Sequence, residues 1–415
     1  MRIPPLFPYS VMLVIGMIVG SSVSGTIVFG SFVLSMSACF GVSTLLFLLL
    51  SFFRRSNVAS YVFTLMAAMA LGAYLVKGER HEYDFPFQQE IEQFMTGQRM
   101  LLVETYRDCG LTGDEQGVVA AMTLGEKQTV SHELRESYNV SGASHVFALS
   151  GLHLGIIYML LSLLFPRRLM WVFGEWRRVA EWLLVSVQLL ALWTYVMLVG
   201  AHPSILRAAV MLTVYGITRN SSRRPDSLSV LVFTLTLLLV IWPQWIFDIG
   251  FQMSFAAVAS ITLLYQPLNR WLMDISPLLC RCAILRVILQ TMLISTCAQL
   301  GVAPLIAHYF HRFSVYFLLT NLPVPFLATL VIYLAVVLLA CASLSIPALT
   351  TLVAVALHTV VSWLNRYLVW VSSLPCASID NISIGWLHTI VIYILIICLC
   401  LLAYNLKKGI RRRLG

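Results

Sequence analysis

Charge is scarce in this sequence. Of 415 residues only 11% are Asp, Glu, Lys or Arg, against 59% hydrophobic. That excludes an ordinary soluble globular protein, in which about a quarter of the residues are charged. Signatures of cofactor chemistry are missing as well: there is no phosphate-cradling glycine loop, no dinucleotide fingerprint, no HExxH and no GxSxG turn. The nine cysteines form no CxxC pair, and Cys280-x-Cys282 and Cys398-x-Cys400 would each point two ways from a helix. No cofactor and no metal ligand set are expected. A cleavable leader is not expected either, because Met1 to Pro8 carries one Arg and the apolar run after it is long and uncut.

What fills the chain instead is a succession of apolar runs of about 20 residues, the length that crosses a bilayer as a helix. The runs fall near 9–30, 31–53, 58–76, 145–165, 180–199, 205–218, 227–242, 250–266, 287–307, 317–341, 350–372 and 383–404. The expected fold is therefore an all-α, polytopic helical bundle of about twelve spans embedded in membrane lipid, with some helices broken. Four segments follow: a three-span region at 1–76, a short extracytoplasmic segment at 77–144, a transmembrane domain at 145–404 and a basic tail at 405–415. Twelve of the 18 acidic residues lie in 77–144 beside six basic ones, while the other residues hold 21 Lys and Arg against six acids. Basic clusters at Arg54-Arg55, Arg167-Arg168, Arg177-Arg178, Arg223-Arg224, Arg270 to Arg286 and Lys407 to Arg413 all fall on one side under strict alternation. By the positive-inside rule that side, with both termini, is cytoplasmic.

Within 77–144, Phe87, Ile91, Phe94, Leu101, Leu102 and Tyr106 make a partial stripe suited to a helix in the interface plane. Thr112-x-x-Glu115 predicts a capping box opening a helix that Gly125 ends, and Ser131 predicts a third helix start.

Polar residues inside apolar runs are the candidates for function, since charge at the bilayer centre is expensive. The stretch 141–165 carries His145, Ser150, Gly151 and His153 into a hydrophobic run. Ser150 and His153, three apart, also suit a nucleophile and its base, but no acid is in place to orient the histidine. Two runs are broken, at Gly200-Ala-His-Pro203-Ser204 ahead of Arg207 and at Asn321-Leu-Pro-Val-Pro325. Non-helical backbone at membrane depth occurs where protein buries it or water lines it, and it marks binding sites in transporters. Asp248 and Gln252 line up on one helix face, and Arg207 is the natural partner for Asp248. Polar stripes run through Thr291, Ser295 and Gln299, and through Thr351, His358, Ser362, Asn365 and Arg366; each fits helix packing or a wetted surface.

The strings His145-Val-Phe-Ala-Leu-Ser-Gly-Leu-His153, Pro203-Ser-x-x-Arg-Ala208, Arg223-Arg-Pro-Asp226, Asp248-Ile-Gly-Phe-Gln-Met-Ser-Phe255 and Ala298-Gln-Leu-Gly-x-x-Pro304, with Phe310-x-x-Phe-Ser314 and Asn321-Leu-Pro-Val-Pro325, together resemble the ComEC family of competence proteins. The likeness runs from about Leu124 to Leu330. It implies an inner-membrane channel that passes single-stranded DNA during natural transformation. The family usually adds an OB-fold domain and a nuclease domain; here 77–144 shows no clear OB fold, and no HxHxDH pattern appears. The expectation is a non-enzymatic channel core, with assembly as a homo-oligomer one option, whose separate nuclease, DNA-receptor and cytoplasmic motor are other proteins. Its path would use His145, Ser150, Gly151, His153, Pro203, Ser204, Arg207, Asp248, Gln252, Gln299 and Arg366. A secondary transporter of a small anion or lipid-linked substrate, and an intramembrane hydrolase, are the alternatives.

Overall fold

The computed structural model describes residues 4–22, 26–29, 32–35, 40, 42–45, 48, 57–77, 86–147, 149–220, 226–275, 282–396 and 398. Helix dominates, as it must where no water is present to satisfy backbone N–H and C=O groups. The chain runs α1 (Phe7–Ser22), β1 (Thr26–Phe29), β2 (Phe32–Ser35), α2 (Asn57–Lys77), α3 (Pro86–Asp108), α4 (Gly113–Leu124), α5 (His132–Val140), α6 (Gly151–Leu164), α7 (Arg177–Val199), α8 (Pro203–Asn220), α9 (Ser227–Ile241), α10 (Ile249–Ile275) and α11 (Ala283–Phe310). Then come β3 (Phe313–Ser314), α12 (Phe317–Asn321), α13 (Val324–Ser343), α14 (Pro347–Ser372), β4 (Ser378–Ile379) and α15 (Trp386–Ile396). Among the described residues, five helical stretches are long and apolar enough to cross a membrane: Gly174–Val199, Ile249–Asp274, Ala283–Phe310, Phe317–Ser343 and Pro347–Ser372. Shorter apolar helices lie at Phe7–Ser22, Tyr61–Val76, Gly151–Leu164, Ser227–Ile241 and Trp386–Ile396. The protein is an all-α, multi-pass membrane protein.

One departure comes early. A helix was expected over 9–30 and a second over 31–53, but α1 stops at Ser22 and Thr26–Phe29 pairs antiparallel with Phe32–Ser35. Two β-branched and aromatic tetrads separated by Gly30-Ser31 are a hairpin pattern, which a scan for apolar length conceals. Most of 31–53 lies outside the described residues, as do Arg54-Arg55, Arg223-Arg224 and the tail 405–415.

The chain divides into two compact units, Met1–Pro86 with Ser221–Phe255, and Phe87–Asn220 with Ala256–Gly415. The first is built on close packing of α1 and α2. Gly16 and Gly20 form a GxxxG pair; a β-carbon built on Gly16 would stand 1.8 Å from the Met69 carbonyl oxygen, and one on Gly72 would stand 2.1 Å from that of Leu13. Backbones come this near only where no side chain intervenes, and lipid offers no hydrophobic gain that would hold bulkier helices together. Ser10 and Thr236 share a hydrogen bond of 2.6 Å between α1 and α9.

In the second unit the acidic segment packs into the bundle. Glycine φ of 77° at Gly125 ends α4 as expected, and the Ser131 hydroxyl accepts from Leu134 N–H at 3.3 Å to start α5. Thr112, in contrast, makes no side-chain cap. Glu115 turns to α14, where it accepts from the Ser362 hydroxyl at 3.3 Å. Val118, Val119, Ala121 and Met122 of α4 are fully buried in one apolar cluster with Val331, Leu338, Leu357, Val361 and Leu364 of α13 and α14. Tyr138 of α5 donates to Asn365 Oδ1 at 2.7 Å. The stripe on α3 divides: Leu102 and Tyr106 join that cluster, while Phe94 and Leu101 stay exposed. The Ser362–Asn365 part of the α14 stripe therefore seats α4 and α5.

Arg312 ties the rim of this unit, reaching Glu136 on α5 and Asp380 after β4, each at 2.5 Å. Its hydrogen bond holds the Glu136 carboxyl below the usual carboxylate range, and the same bond raises the guanidinium. A depressed carboxyl contributes stability that is complete above its unfolded value of about 4.3 and is lost as pH falls through the lower folded value. The groups are one third to one half exposed, so each pair is worth about 0–1 kcal/mol. Arg312→Ala should lower the melting midpoint slightly at pH 7 and by less at pH 3, read by thermal fluorimetry of the solubilised protein. Equal losses at both pH values would contradict the ion-pair account.

Candidate functional site

Four helix ends meet inside the second unit. Helix α4 ends at Gly125, where a β-carbon would touch the Leu149 side chain at 2.5 Å and stand 3.5 Å from the Val199 carbonyl oxygen. The start of α6 and the end of α7 are thereby brought to one place. Tyr195 of α7 locks it by donating to the Thr123 carbonyl at 2.7 Å, and the Thr123 hydroxyl meets the Tyr106 hydroxyl at 3.2 Å. After Gly200 (φ 87°) the chain breaks and restarts at Pro203, a residue suited to a first turn because its missing N–H would have no partner there. The broken run expected at 200–207 is thus present, and α8 extends the expected 205–218 helix at both ends. The second break, at 321–325, separates α12 from α13.

Ser150 opens α6. Its hydroxyl accepts from Leu152 N–H at 3.2 Å, and His153 Nδ1 accepts from Ser150 N–H at 3.2 Å while lying 3.1 Å from Ser150 Oγ. This is a capping box with histidine in the place usually taken by Glu or Gln. With Nδ1 accepting, the neutral ring carries its proton on Nε2. That nitrogen is buried and has no hydrogen-bond partner among the described residues, and the ring is 2% exposed. Ser150 and His153 are therefore joined as a helix cap, and the orienting acid a hydrolase requires at Nε2 is not among its described partners.

Arg207 approaches from α8. A β-carbon on Gly151 would come within 2.8 Å of Arg207 Nη2 and 3.3 Å of the Ala208 β-carbon. The guanidinium thus lies over the first residue of α6, buried at 6% exposure, with Nη1 3.6 Å from Met211 Sδ. The absence of a side chain at Gly151 is what admits it. Gly155 is different: nothing stands within 4 Å of a β-carbon there, so the close helix approach is at Gly151 and not at Gly155. The first turns of α6 and α8 and the Arg207 cation lie together. Each N-terminus carries about half a positive charge from unpaired N–H groups, and this concentration of positive potential suits an anionic group.

The structure brings together Ser150, Gly151, His153 and Arg207, with Pro203 and Ser204 in the first turn of α8. His145 precedes them in a short 3-10 turn, its Nδ1 3.2 Å from the Gly142 carbonyl. Asp248 and Gln252 belong to the first unit and do local work: Asp248 accepts from Phe251 N–H at 2.6 Å, and Gln252 donates to the Ile246 carbonyl at 2.8 Å. Gln299 is half-buried on α11, and Arg366 is exposed on α14. Reading the sequence missed Thr123 and Tyr195, which with Gly125 assemble the helix ends. Gly125 was visible as a helix stop; its contact with Leu149 was not.

Comparison with known proteins supplies a second line. The family model described as "Competence protein" matches residues 122–406, more than half of the chain. ComE operon protein 3 of Bacillus subtilis (strain 168) is 30% identical over 302 residues, 72% of this chain and 35% of that protein. An uncharacterized protein of Aquifex aeolicus (strain VF5) is 31% identical over 169 residues, 40% of this chain and 38% of its own length. Uncharacterized protein YcaI of Escherichia coli (strain K12) is 28% identical over 156 residues, 37% of this chain and 20% of that protein. The chain thus spans between about a fifth and two fifths of the length of these relatives. No solved structure matches.

Proposed function

The chain belongs to the competence protein family, and on that premise we propose that it forms the transmembrane core of a DNA-uptake channel that passes a single strand. The observation that carries this reading is the meeting of two helix N-termini with a buried arginine at Gly151, a place built for an anion such as a backbone phosphate. Passage needs contacts weak enough for the ligand to leave. A sparse set of cations, Arg207 and Arg366, with neutral polar groups such as Ser150, Ser204 and Gln299 meets that need better than a dense basic groove. His145 lies at the approach to this path. The protein resides in the bacterial inner membrane.

Deleting the gene should abolish DNase-protected uptake of labelled DNA, and a plasmid copy should restore it. Uptake unchanged in the deletion strain would refute the proposal. The paired N-termini also fit a transporter of small anions, since broken half-helices aim at anionic substrates in such proteins. Under that reading the deletion leaves DNA uptake intact while a small anion ceases to cross.

A further inference from the structure

We propose that Glu115 and His358 form a proton-binding site near the middle of the membrane. Helix α14 has 26 residues, about 39 Å at 1.5 Å per residue, against a hydrocarbon core of about 30 Å. A helix that spans the whole core can be displaced by at most about 4.5 Å either way, half the difference between these lengths. His358 lies within two residues of the helix midpoint, so its backbone stays within about 7 Å of the bilayer midplane. Its Nε2 is 4.0 Å from Glu115 Oε1, and the Ser362 hydroxyl donates to that same oxygen at 3.3 Å. The start of α4 therefore reaches the depth of the α14 centre and delivers a carboxylate there.

Ionisable groups at such depth are costly and pair with one another, and Asp, Glu and His chains form the proton relays of membrane transport proteins. The His358 side chain is 55% exposed and that of Glu115 27%. Lipid is a poor neighbour for either. Thr351, His358, Ser362 and Arg366 fall along one side of α14, and all but half-buried Ser362 are exposed, which gives water a polar lining past the pair. Helix α5, which also packs on α14, carries His132, Glu133, Arg135, Glu136 and Tyr138. Asp114 is engaged by Ser131, accepting at 2.7 Å from its N–H and 2.8 Å from its hydroxyl. Helix α3 ends with Glu104, Tyr106, Arg107 and Asp108, and α7 presents Tyr195 to Thr123. Helix α13 carries no Asp, Glu, Lys, Arg or His, and α14 adds Arg366 and Tyr367. The step balances as a relay through one bridging water, which the 4.0 Å gap requires: the water takes the proton from Glu115 and gives one to His358 Nε2 as another leaves the ring from Nδ1, and reorientation of the ring resets it.

The proposal stands apart from the nucleic-acid reading, because its test contains no DNA. Full-length protein in liposomes that enclose a pH-sensitive dye should dissipate an imposed pH gradient faster than empty liposomes. Glu115→Gln and His358→Gln should each slow this at least tenfold, while Glu115→Asp retains it. His358 is exposed, so its variant keeps the test in force if Glu115→Gln fails to fold. Wild-type liposomes no faster than empty ones, or either glutamine variant at the wild-type rate, would overturn the proposal.

Discussion

Replacing Arg207 with alanine is expected to reduce DNA uptake roughly 10- to 150-fold, the equivalent of one lost charge-assisted contact of about 1.5–3 kcal/mol. Arg207→Lys should recover part of the loss, because it keeps the charge but not the planar fork that grips two phosphate oxygens. The guanidinium is buried at 6% exposure over Gly151, so removing it leaves the anion to two helix N-termini alone. Labelled-DNA uptake should be compared at equal membrane levels of protein. Gly155→Ala serves as the control on the same helix, since its added methyl meets open space. Alanine at position 207 with wild-type uptake would eliminate the phosphate role proposed for this arginine.

The largest effect on folding is expected at the α1–α2 contact. Gly16→Leu places atoms where the Met69 carbonyl oxygen now lies 1.8 Å from the β-carbon position, and Gly72→Leu does the same against Leu13 at 2.1 Å. Each obstacle is backbone, which cannot swing aside as the end of a flexible side chain does. The helices must separate, and the cost is about 3 kcal/mol, at the upper end of overpacking. The melting midpoint in detergent and the level of inserted protein should both fall. Gly16→Leu with unchanged melting and membrane level would show that the close approach contributes nothing to stability.

How much was legible beforehand differs between elements. Apolar length revealed α11, α14 and the stretch α12–α13 nearly to their ends, because a bilayer imposes its thickness on any helix that crosses it. Gly125 and Ser131 were correctly read as a stop and a start, since cap geometry is settled within a few residues. The hairpin at 26–35 was missed because strand and helix runs of apolar residues are alike in length-blind composition. Glu115 was read as half of a capping box, and the fold turned it to Ser362, 247 positions along the chain.

The opening stretch of the site shows the same division. Sequence identified Ser150, Gly151, His153, Pro203 and Arg207 by the cost of polar groups and broken backbone in an apolar run, and motif order related them to the competence family. Local chemistry suffices for that, because capping, chain breaks and hydropathy depend on near neighbours. Only tertiary structure decided that Arg207 lies over Gly151, that α4 ends against Leu149 and Val199, and that part of the α14 stripe binds α4 and α5. Those contacts join residues tens to hundreds of positions apart, and they depend on how helices pack, which no local periodicity encodes.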